Sequence, residues 1–503
     1  MSIWTTSERT FLEAVGRLAY ENPFLPARIE HEKAALGKDY LAGGFVWSAP
    51  VDDPDAVRPN VWRVVEKLEP LVANSRERLS HCDAITPGDA AIYEDAVHHL
   101  LYQRYYPELV SSERTRWNFY KKFLEHWDFY FSIPGKRFET ESQPLHLFAC
   151  FYQIQRAFHH IYEGIIGNSH PAANLRASVW QSIFTHNSRR YRRSLYNRMA
   201  EFPTLITGPS GSGKEIVARA IAGSRYVPFN PGRMSFEEPK QERFQAINMA
   251  ALSPALIESE LFGHRRGAFT GATGDRKGYL ESCPDTGSVF LDELGELDMN
   301  LQAKLLRVLE TRTFQAVGDV ASRKFQGKLI AATNRDLGTE ITAGKFREDL
   351  YYRLCADRIQ TPALSEQLID NPATLDELLH FMARRVAGPE ADALIADVKA
   401  WVKKSMPKNY SWPGNYRELE QCVRNILIRR SYTPLEQKAA KADENFYQRI
   451  RLGECTAADL LGFYAALVYS QCGSYEETAR RLDVDRRTVK AKVDGWLAGS
   501  MQQ

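Results

Sequence analysis

Cysteine is scarce in this sequence and is not arranged for disulfide formation or metal binding. The 503 residues include seven cysteines, an odd number, and none of them forms a Cys-x-x-Cys pair. Such dispersed cysteines do not indicate a disulfide framework or a cysteine-based metal site, and we expect them to be reduced and structural. They are Cys82, Cys150, Cys283, Cys355, Cys422, Cys455 and Cys472.

Long apolar runs are also missing. No run approaches the ~18 residues that a membrane-spanning helix needs. Residues 1–15 lack the basic start and apolar core of a signal peptide. These absences predict a protein without a membrane segment, and we expect a cytoplasmic location.

Neither sign of charge dominates the sequence. The chain has 65 lysines and arginines against 63 aspartates and glutamates, so its formal net charge is only +2. Any contact with nucleic acid must therefore come from a local basic patch rather than from the overall field. At 503 residues the chain is too long for one hydrophobic core, and about 150 residues per domain predicts roughly three domains.

A glycine-rich loop lies between an apolar run and a helix-forming run at residues 204–217. Glycines let the backbone N–H groups turn inward, a lysine can reach the β- and γ-phosphates, and the following helix offers its positive end to the anion. The pattern predicts a phosphate-binding loop, the alternative being a plain turn between strand and helix. The predicted contact residues are Gly208, Pro209, Ser210, Gly211, Ser212, Gly213, Lys214 and Glu215.

Two further apolar runs end in polar residues, Asp292 and Glu293 after the first and Thr333 and Asn334 after the second. Ligands of open parallel sheets bind at the carboxyl ends of the strands, so these side chains are expected beside the phosphates. Asp292 can hold Mg²⁺, and Glu293 can orient or deprotonate the attacking water. Thr333 and Asn334 could sense the γ-phosphate or position water. Glu215 stands where many such loops have a hydroxyl for Mg²⁺.

Residues 1–177 show apolar positions at three- and four-residue spacing and are predicted to be mostly helical. The region is rich in aromatic residues, which are either core packing or, less commonly, the wall of a ligand pocket. The pairs His98/His99 and His159/His160 do not favour metal binding, because adjacent helical residues point in different directions. The position ahead of the phosphate-binding loop suggests a regulatory or sensing role.

Two segments around the phosphate-binding loop are strongly polar. Five arginines and no acidic residue lie between His186 and Arg198, which predicts either a solvated helix face or a contact with phosphate or a neighbouring subunit. Residues 228–243 are charged and contain three prolines and a glycine. We predict that they form an exposed insertion.

One hexapeptide suggests a family. Residues 267–272 read Gly-Ala-Phe-Thr-Gly-Ala, a sequence that marks activators of the alternative bacterial sigma factor sigma-54. On this and further motifs in the same order, about residues 179–428 resemble the AAA+ ATPase domain of bacterial enhancer-binding proteins. Flanking glycines suit a mobile loop with an exposed aromatic tip, although the domain could also bury it. The resemblance implies a sigma-54 contact through Gly267, Ala268, Phe269, Thr270, Gly271 and Ala272.

The segment 346–354 matches the part of the family that carries the arginine fingers. The resemblance assigns this role to Arg347 and Arg353, whose planar, permanently charged guanidinium groups can neutralise charge on a transferred phosphate. The alternative is that they form structural ion pairs with Glu348 or Asp349.

The resemblance also covers the lid of the ATPase domain. Residues 412–419 match the lid motif, in which Arg417 contacts nucleotide. Asn415 is predicted to cap the following helix, with Glu418 closing a capping box. Asn248 matches the residue that restrains the catalytic glutamate until a partner is engaged.

The lid departs from the family pattern at one place. Where the family usually has an arginine pair after Pro-x-Leu, this chain has Ser365 and Gln367. The catalytic residues are unaffected by this change.

The last part of the chain is predicted to be a helix-turn-helix, similar to the Fis-like domains of the family. Thr456 caps an amphipathic helix that ends at Gly473, and Ser474 with Glu477 forms a capping box for the next helix. The apolar stripe of the first helix is expected to face inward and could pair two subunits. Its members are Leu460, Leu461, Tyr464, Leu467 and Val468.

The recognition helix of this motif is predicted over residues 486–497. Its basic residues precede any acidic one, which suits contacts with phosphates and base edges in the major groove of double-stranded DNA. A solvated terminal helix is the alternative. The predicted DNA contacts are Arg486, Arg487, Thr488, Lys490 and Lys492.

Together these features predict a multidomain chain with four parts. They are a mostly α regulatory or sensing domain (1–177), an AAA+ α/β parallel-sheet ATPase domain (178–430) with a helical lid (about 365–430), a linker (431–455) and a helix-turn-helix (456–503). We expect an ATP- and Mg²⁺-dependent activator that binds upstream DNA and remodels sigma-54 RNA polymerase. The resemblance implies a homo-oligomer, a hexameric ring. The alternatives are a motor acting on another client, or a repressor in which the ATPase fold only mediates oligomerisation.

Overall fold

A computed structural model describes residues 3–42, 59–110, 117–140, 143–237, 243–407, 410–434, 450, 453 and 455–500. The chain divides into two compact units, residues 1–431 and 432–503. Within the described residues, no helix is long and apolar enough to cross a membrane.

The first unit contains eighteen described α-helices. They are α1 Thr6–Tyr20, α2 Ala27–Leu36, α3 Pro59–His81, α4 Pro87–Val110, α5 Tyr120–Phe131, α6 Pro144–Gly164, α7 His170–Phe184, α8 Ser188–Arg190, α9 Lys214–Gly223, α10 Pro254–Phe262, α11 Tyr279–Ser282, α12 Met299–Thr311, α13 Leu337–Thr342, α14 Glu348–Leu354, α15 Leu364–Asp370, α16 Thr374–Ala387, α17 Ala391–Ser405 and α18 Asn415–Arg429.

The strands of the same unit are β1 Thr204–Thr207, β2 Phe229–Asn230, β3 Ser235–Phe236, β4 Phe244–Asn248, β5 Gly263–His264, β6 Arg276–Lys277, β7 Ser288–Asp292, β8 Thr313–Phe314, β9 Arg323–Lys324, β10 Lys328–Thr333 and β11 Asp357–Gln360. Five of them form the central sheet, in the order β11-β1-β10-β7-β4, and every neighbouring pair is parallel. The predicted parallel α/β sheet is therefore confirmed.

The central sheet is covered on both faces, which explains why its strands read as continuous apolar runs. Leu205 packs with α10, α12 and α14 on one face, in a core that includes Leu291 and Leu329. The next residue, Ile206, packs with α7 and α9 on the other face. Because side chains alternate along a strand, one short run builds both cores.

The N-terminal region is helical, as predicted, and its aromatic residues form a core. Phe123, Trp127 and Phe148 are buried in this core with residues from α1, α3 and α4. The second half of α6 belongs instead to the core that covers the central sheet, together with α7 and α9. The predicted boundary at 177/178 falls inside α7, so the proposed division between these two domains does not coincide with a break in the fold.

Part of the segment predicted to be an exposed insertion is buried. Strands β2 and β3 form an antiparallel hairpin, and Phe229 and Phe236 are only 6% and 7% exposed. Both rings pack into the N-terminal aromatic core, where Phe236 lies 3.9 Å from the ring of Tyr152. The prediction of exposure was wrong here because two aromatic residues among many polar ones are enough to bury a hairpin. Residues 238–242 lie outside the described part.

The arginine-rich segment after α7 is held mainly by the N-terminal region. Arg189 forms an ion pair with Asp95 of α4, and Arg193 forms one with Glu139. Arg192 donates a hydrogen bond of 2.7 Å to Nδ1 of His98. The prediction of a solvated face or a phosphate contact did not identify these partners, since each lies 54 or 94 positions away in the sequence.

The described residues of the second unit include three helices: α19 Ala457–Cys472, α20 Tyr475–Leu482 and α21 Arg486–Ser500. Thr456 caps α19 in a capping box with Asp459, and Gly473 ends it in the left-handed conformation, as predicted. Ser474 occupies the N-cap of α20, but its side chain makes no capping hydrogen bond. Glu477 forms ion pairs with arginines of its own helix instead. The predicted linker lies largely outside the described residues.

The inward stripe predicted for α19 was partly wrong. Val468 is buried, but Leu460 and Tyr464 are 40% and 55% exposed. Ala465 and Val468 face inward, and Ala465 shares a small core with Val493 of α21. Leu460 and Tyr464 are exposed on this face, and the pairing of two subunits through it stays a prediction.

Candidate functional site

The glycine-rich loop follows β1 and is closely surrounded by neighbouring backbone. Gly208 and Gly211 have positive φ angles of 149° and 74°. A Cβ atom on Gly208 would lie 2.1 Å from Oγ1 of Thr361, and one on Gly211 would lie 2.3 Å from the carbonyl oxygen of Gly414. Both positions therefore require glycine for conformation and for space.

Lys214 is the first residue of α9 and projects into a cleft of about 400 Å³. Its Nζ atom donates hydrogen bonds to the carbonyl oxygens of Gly208 and Pro209 at 3.1 and 3.2 Å. Burial lowers the pKa of Lys214, and the nearby charges of Glu293 and Asp292 oppose that effect. The structure thus brings the loop lysine and the two strand-end carboxylates together, as the sequence predicted.

The two carboxylates end the buried strand β7. Asp292 accepts a hydrogen bond of 3.0 Å from the backbone N–H of Glu293. Glu293 has a left-handed backbone, with φ 53°. This bend lets two successive side chains of a strand line the same cleft. A single continued strand would point them to opposite faces.

Asn248 lies at the end of β4, directly opposite Asp292 in the parallel pair. Its amide Nδ2 donates to Asp292 Oδ2 at 3.5 Å. The family resemblance implied that Asn248 restrains the glutamate, so the hydrogen bond seen here goes to the preceding carboxylate. A contact with Glu293 stays a prediction.

Thr333 and Asn334 lie where β10 ends, beside the phosphate-binding loop, because Thr333 is paired with Thr207. Thr333 is fully buried, and its hydroxyl oxygen accepts a hydrogen bond from the backbone of Arg335. Asn334 is exposed. Of the two, Asn334 is the better placed to meet a phosphate or a water molecule.

The lid contacts the phosphate-binding loop through one backbone and one side-chain hydrogen bond. The N–H of Tyr416 donates to the carbonyl oxygen of Gly211 at 3.1 Å, and Asn415 Nδ2 donates to that of Ser210 at 2.9 Å. Asn415 was predicted to cap α18, but Gly414 occupies that position, and Glu418 accepts from its N–H at 2.7 Å. Asn415 instead ties the lid to the loop.

Arg417 lies in the first turn of α18 and lines the cleft, as the family motif implied. Sequence reasoning missed several other contributors to the wall, among them Arg385 of α16 and Ile166, which follows α6. Neither stands in a motif, so only the fold reveals them. Gln367, at the departure from the family pattern, is buried and donates a 2.6 Å hydrogen bond to the hydroxyl of Tyr416.

Glu215, which stands where many such loops have a hydroxyl, is hydrogen-bonded within its own helix. Glu215 lines the cleft and accepts hydrogen bonds from Arg219 one turn later, at 2.7 and 2.9 Å. Asp292 lines the same cleft, and each of its carboxylate oxygens keeps a second lone pair beyond its protein donor. The donor set therefore fits an Mg²⁺ ion held by Asp292 and water.

The two predicted arginine fingers do not line this cleft in the part of the chain that the structure describes. Arg347 forms an ion pair of 2.7 Å with Asp349, one of the alternatives considered above. Arg353 donates to the carbonyl oxygen of Leu309 at 3.0 Å. Both therefore lie away from the nucleotide cleft of their own chain.

The hexapeptide 267–272 forms the tip of a hairpin closed by β5 and β6. The N–H of Gly267 donates to the carbonyl oxygen of Ala272 at 2.9 Å. Phe269 is 39% exposed, with one edge against His264, and Thr270 is exposed. The loop thus presents a ring and a hydroxyl to the outside rather than burying them.

A second hairpin, formed by β8 and β9, supports this tip and was not predicted. Arg265 forms ion pairs with Asp275 of its own hairpin and with Asp319 of the second one, at 2.6 and 2.9 Å. Gly318 lies directly against Ala268. The two hairpins therefore form one surface, which sequence alone could not pair.

The candidate DNA residues lie at the start of α21. Arg486, Arg487, Thr488 and Lys490 are exposed, and Lys492 is half-buried. Arg486 forms an ion pair of 3.0 Å with Glu476. The basic patch is thus accessible, as a recognition helix requires.

The histidine pairs have different surroundings. His98 is a buried core residue whose ring nitrogens contact Arg192 and Thr140. His159, His160 and Glu163 bring three possible ligand atoms within 4.8 Å of one another, which the sequence argument did not anticipate, although two of these residues are exposed.

Residues 184–360 match the family described as the Sigma-54 interaction domain. The Nif-specific regulatory protein of Azotobacter vinelandii is 42% identical over 225 residues, which are 44% of this chain and 39% of that protein. The luminescence regulatory protein LuxO of Vibrio campbellii is 35% identical over 315 residues, 59% of this chain and 65% of that protein. The chain thus spans less than two thirds of either relative.

Among solved structures, NtrX from Brucella abortus in complex with ATP is 25% identical, with 69% of this chain and 72% of that chain covered and a TM-score of 0.38. The family match includes the hexapeptide 267–272. These matches identify residues 184–360 as a Sigma-54 interaction domain, and the two relatives support a sigma-54-dependent activator.

Proposed function

We propose that this protein hydrolyses ATP and uses the energy to remodel sigma-54 RNA polymerase at a promoter. One observation carries the hydrolytic part: Lys214, Asp292 and Glu293 line one cleft beneath the lid residue Arg417. A cationic loop for phosphates, a carboxylate for a metal and a second one for water are the parts that phosphoryl transfer to water needs.

Each side chain has a distinct role in this proposal. Lys214 binds the β- and γ-phosphates, and Arg417 contacts the nucleotide from the lid. Glu293 orients or deprotonates the attacking water. Asp292 would hold Mg²⁺, which would neutralise phosphate charge when bound. Asn334, which is exposed after the end of β10, is proposed to position the γ-phosphate or the water.

The arginine fingers support a shared active site. Arg347 and Arg353 do not line the cleft of their own chain, so the transferred phosphate would be met by these arginines from a neighbouring copy. This arrangement requires a homo-oligomer, and a hexameric ring is the state that the family resemblance implies.

The exposed loop at Phe269 and Thr270 is proposed to contact sigma-54, since both side chains face outward and neither belongs to the nucleotide cleft. The accessible start of α21 is proposed to bind upstream double-stranded DNA. Selecting genomic fragments with the whole chain tests the DNA proposal, which fails if only random sequence is recovered.

The first prediction separates nucleotide binding from hydrolysis. Lys214→Ala should weaken ATP binding, because it removes the charge that meets the phosphates. Glu293→Gln should keep binding but lower turnover by at least about 100-fold, since the amide cannot act as a base. Binding of a fluorescent nucleotide and steady-state phosphate release measure the two effects. Normal turnover in Glu293→Gln would remove Glu293 from its role.

A second prediction tests the shared site. Arg353→Ala alone and Lys214→Ala alone should each lack ATPase activity, but a mixture of the two should recover part of it. In a mixed ring, some interfaces combine an intact loop with an intact finger. Arg424→Ala, which breaks an exposed ion pair with Glu420 on the lid helix, serves as the control and should keep full activity alone. If verified mixed rings show no recovery, the fingers do not act between subunits.

The third prediction separates hydrolysis from work on the polymerase. Thr270→Ala removes one hydroxyl and one methyl group but leaves both flanking glycines, so the loop keeps its conformational freedom. It should hydrolyse ATP at the normal rate yet fail to bind sigma-54 with a transition-state analogue and fail to activate transcription. Thr273→Ala, just outside the hexapeptide, is the matched control.

The contrary result is equally clear. If both Thr270→Ala and Phe269→Ala activate transcription from a sigma-54 promoter at the wild-type rate, the loop is not the contact. A motor of the same fold that acts on another client would then be the better account.

A further inference from the structure

Two adjoining cavities lie where the N-terminal helices meet the ATPase domain. Their volumes are about 70 Å³ and about 80 Å³. They share five lining residues, which come from α1, α4, α6 and α7, so they adjoin as two lobes. The shared residues are Ala19, His99, Tyr102, Ile154 and Trp180. We refer to this space as the interdomain cavity.

Two polar atoms of the cavity wall have no partner among the described residues. They are Nε2 of His99 and Nε1 of Trp180. His99 is 4% exposed and Trp180 is 5% exposed, so water outside the protein does not satisfy them. Leaving a buried donor or acceptor without a hydrogen bond costs about 1 to 3 kcal/mol, and native structures usually avoid it.

The neighbouring His98 shows what a satisfied histidine looks like in this core. Its ring nitrogens lie 2.7 Å from Arg192 and 3.1 Å from the hydroxyl of Thr140. His99 follows it on the same helix and also lines the interdomain cavity, but its Nε2 has no such partner among the described residues. Two orphaned polar atoms on one cavity thus point to an occupant that supplies their partners.

The surroundings determine the charge of that occupant. Burial lowers the pKa of His99 to about 3, so its ring is neutral and can donate or accept. The indole of Trp180 can only donate. The nearest cationic groups are engaged: Arg28 is bonded to Glu32 at 3.0 Å and Arg192 to His98. Most of the remaining wall is apolar, with Ile154 and Phe158 among its residues.

We propose that the interdomain cavity binds a small, uncharged, largely apolar molecule that carries one hydroxyl or carbonyl oxygen, held by His99 and Trp180. The oxygen accepts from Nε1 of Trp180, and a hydroxyl can also donate to Nε2 of His99. A cavity of about 150 Å³ accommodates one six-membered ring, which sets the expected size.

The position of the cavity connects its occupant to the nucleotide cleft. Helix α6 lines the cavity at Ile154 and continues for ten residues, about 15 Å, to Gly164 at the cleft. A Cβ atom on Gly164 would lie 2.3 Å from the side chain of Ile216 in α9, so the helices are in close contact. An occupant that shifts α6 would therefore also change the position of α9 and the phosphate-binding loop. This connection between the cavity and the cleft rests on the proposed ATP site, whereas binding of a small molecule in the cavity does not.

Direct binding to the full chain without nucleotide tests the site. Cyclohexanol, cyclohexanone and phenol are the probes, toluene is the apolar control and benzoate is the charged one, each followed by ligand-observed NMR. The oxygen-bearing neutral probes should bind at least about tenfold more tightly than either control, the worth of one good hydrogen bond. His99→Phe and Trp180→Phe should each remove that preference.

The control variant is His126→Phe, which changes a histidine of the N-terminal region outside the cavity and should leave binding unchanged. Ala19→Leu keeps both polar groups but fills space common to the two lobes, so it should abolish binding even if the other variants fold poorly. The proposal is overturned if no neutral probe binds at millimolar concentration, or if binding survives in Ala19→Leu. It is also overturned if the density between His99 and Trp180 in a crystal soaked with these probes shows only water.

The link to the nucleotide cleft has its own measurement. A probe that binds should change the dissociation rate of a fluorescent ADP analogue by at least about twofold in the wild type and not in Ala19→Leu. This readout requires nucleotide binding but not hydrolysis, so it is independent of the role of Glu293. Probe binding with an unchanged dissociation rate would overturn the link.

Discussion

The parallel arrangement of the central sheet is the constraint on which the site depends. When all five strands run in the same direction, their carboxyl ends share one edge, and whatever follows each strand is brought together there. The loop after β1 supplies Lys214, and the end of β7 supplies Asp292 and Glu293. Residues almost 80 positions apart thus meet without any special local sequence between them.

The lid completes the site by a contact that only glycine permits. The carbonyl oxygen of Gly414 occupies the position that a side chain on Gly211 would need, so the loop and the lid approach backbone to backbone. Asn415 and Tyr416 then bond to carbonyl oxygens of the loop. Movement of the lid is therefore coupled directly to the conformation of the loop that would hold the phosphates.

The N-terminal helices are continuous with the ATPase domain through shared cores. Phe229 and Phe236 of a hairpin from the ATPase side are buried among N-terminal aromatic residues. The end of α6 packs in turn against α9, the helix that begins with Lys214. A signal received in this region would have a short mechanical path to the phosphate-binding loop. The packing of α6 against α9 is thus a physical connection through which the N-terminal region could regulate the loop, as proposed for it.

The sequence was sufficient wherever a short segment carries its own chemistry. The phosphate-binding loop, the carboxylates after β7 and the exposed hexapeptide were predicted because each combines residue types that only one local structure uses well. Long-range contacts could not be predicted in the same way. The burial of Phe229, the partner of Arg189 and the bond from Asn415 to Ser210 all depend on residues far away in the chain.

The same reasoning explains the errors in the C-terminal helices. A stripe of apolar residues on α19 does not say which neighbour covers it, and Leu460 and Tyr464 are in fact exposed. Ile166 and Arg385 line the cleft but belong to no sequence motif, and they were missed for a similar reason. Their position follows from the packing of helices around the loop and not from their local sequence.

ATP hydrolysis is proposed to drive work on sigma-54 RNA polymerase. This proposal can be tested by permanganate reactivity of thymines at a sigma-54 promoter, with the purified chain, the polymerase and either ATP or a non-hydrolysable analogue. We expect reactive, single-stranded thymines around the start site with ATP only. Equal reactivity with the analogue, or without nucleotide, would show that hydrolysis does not open the promoter.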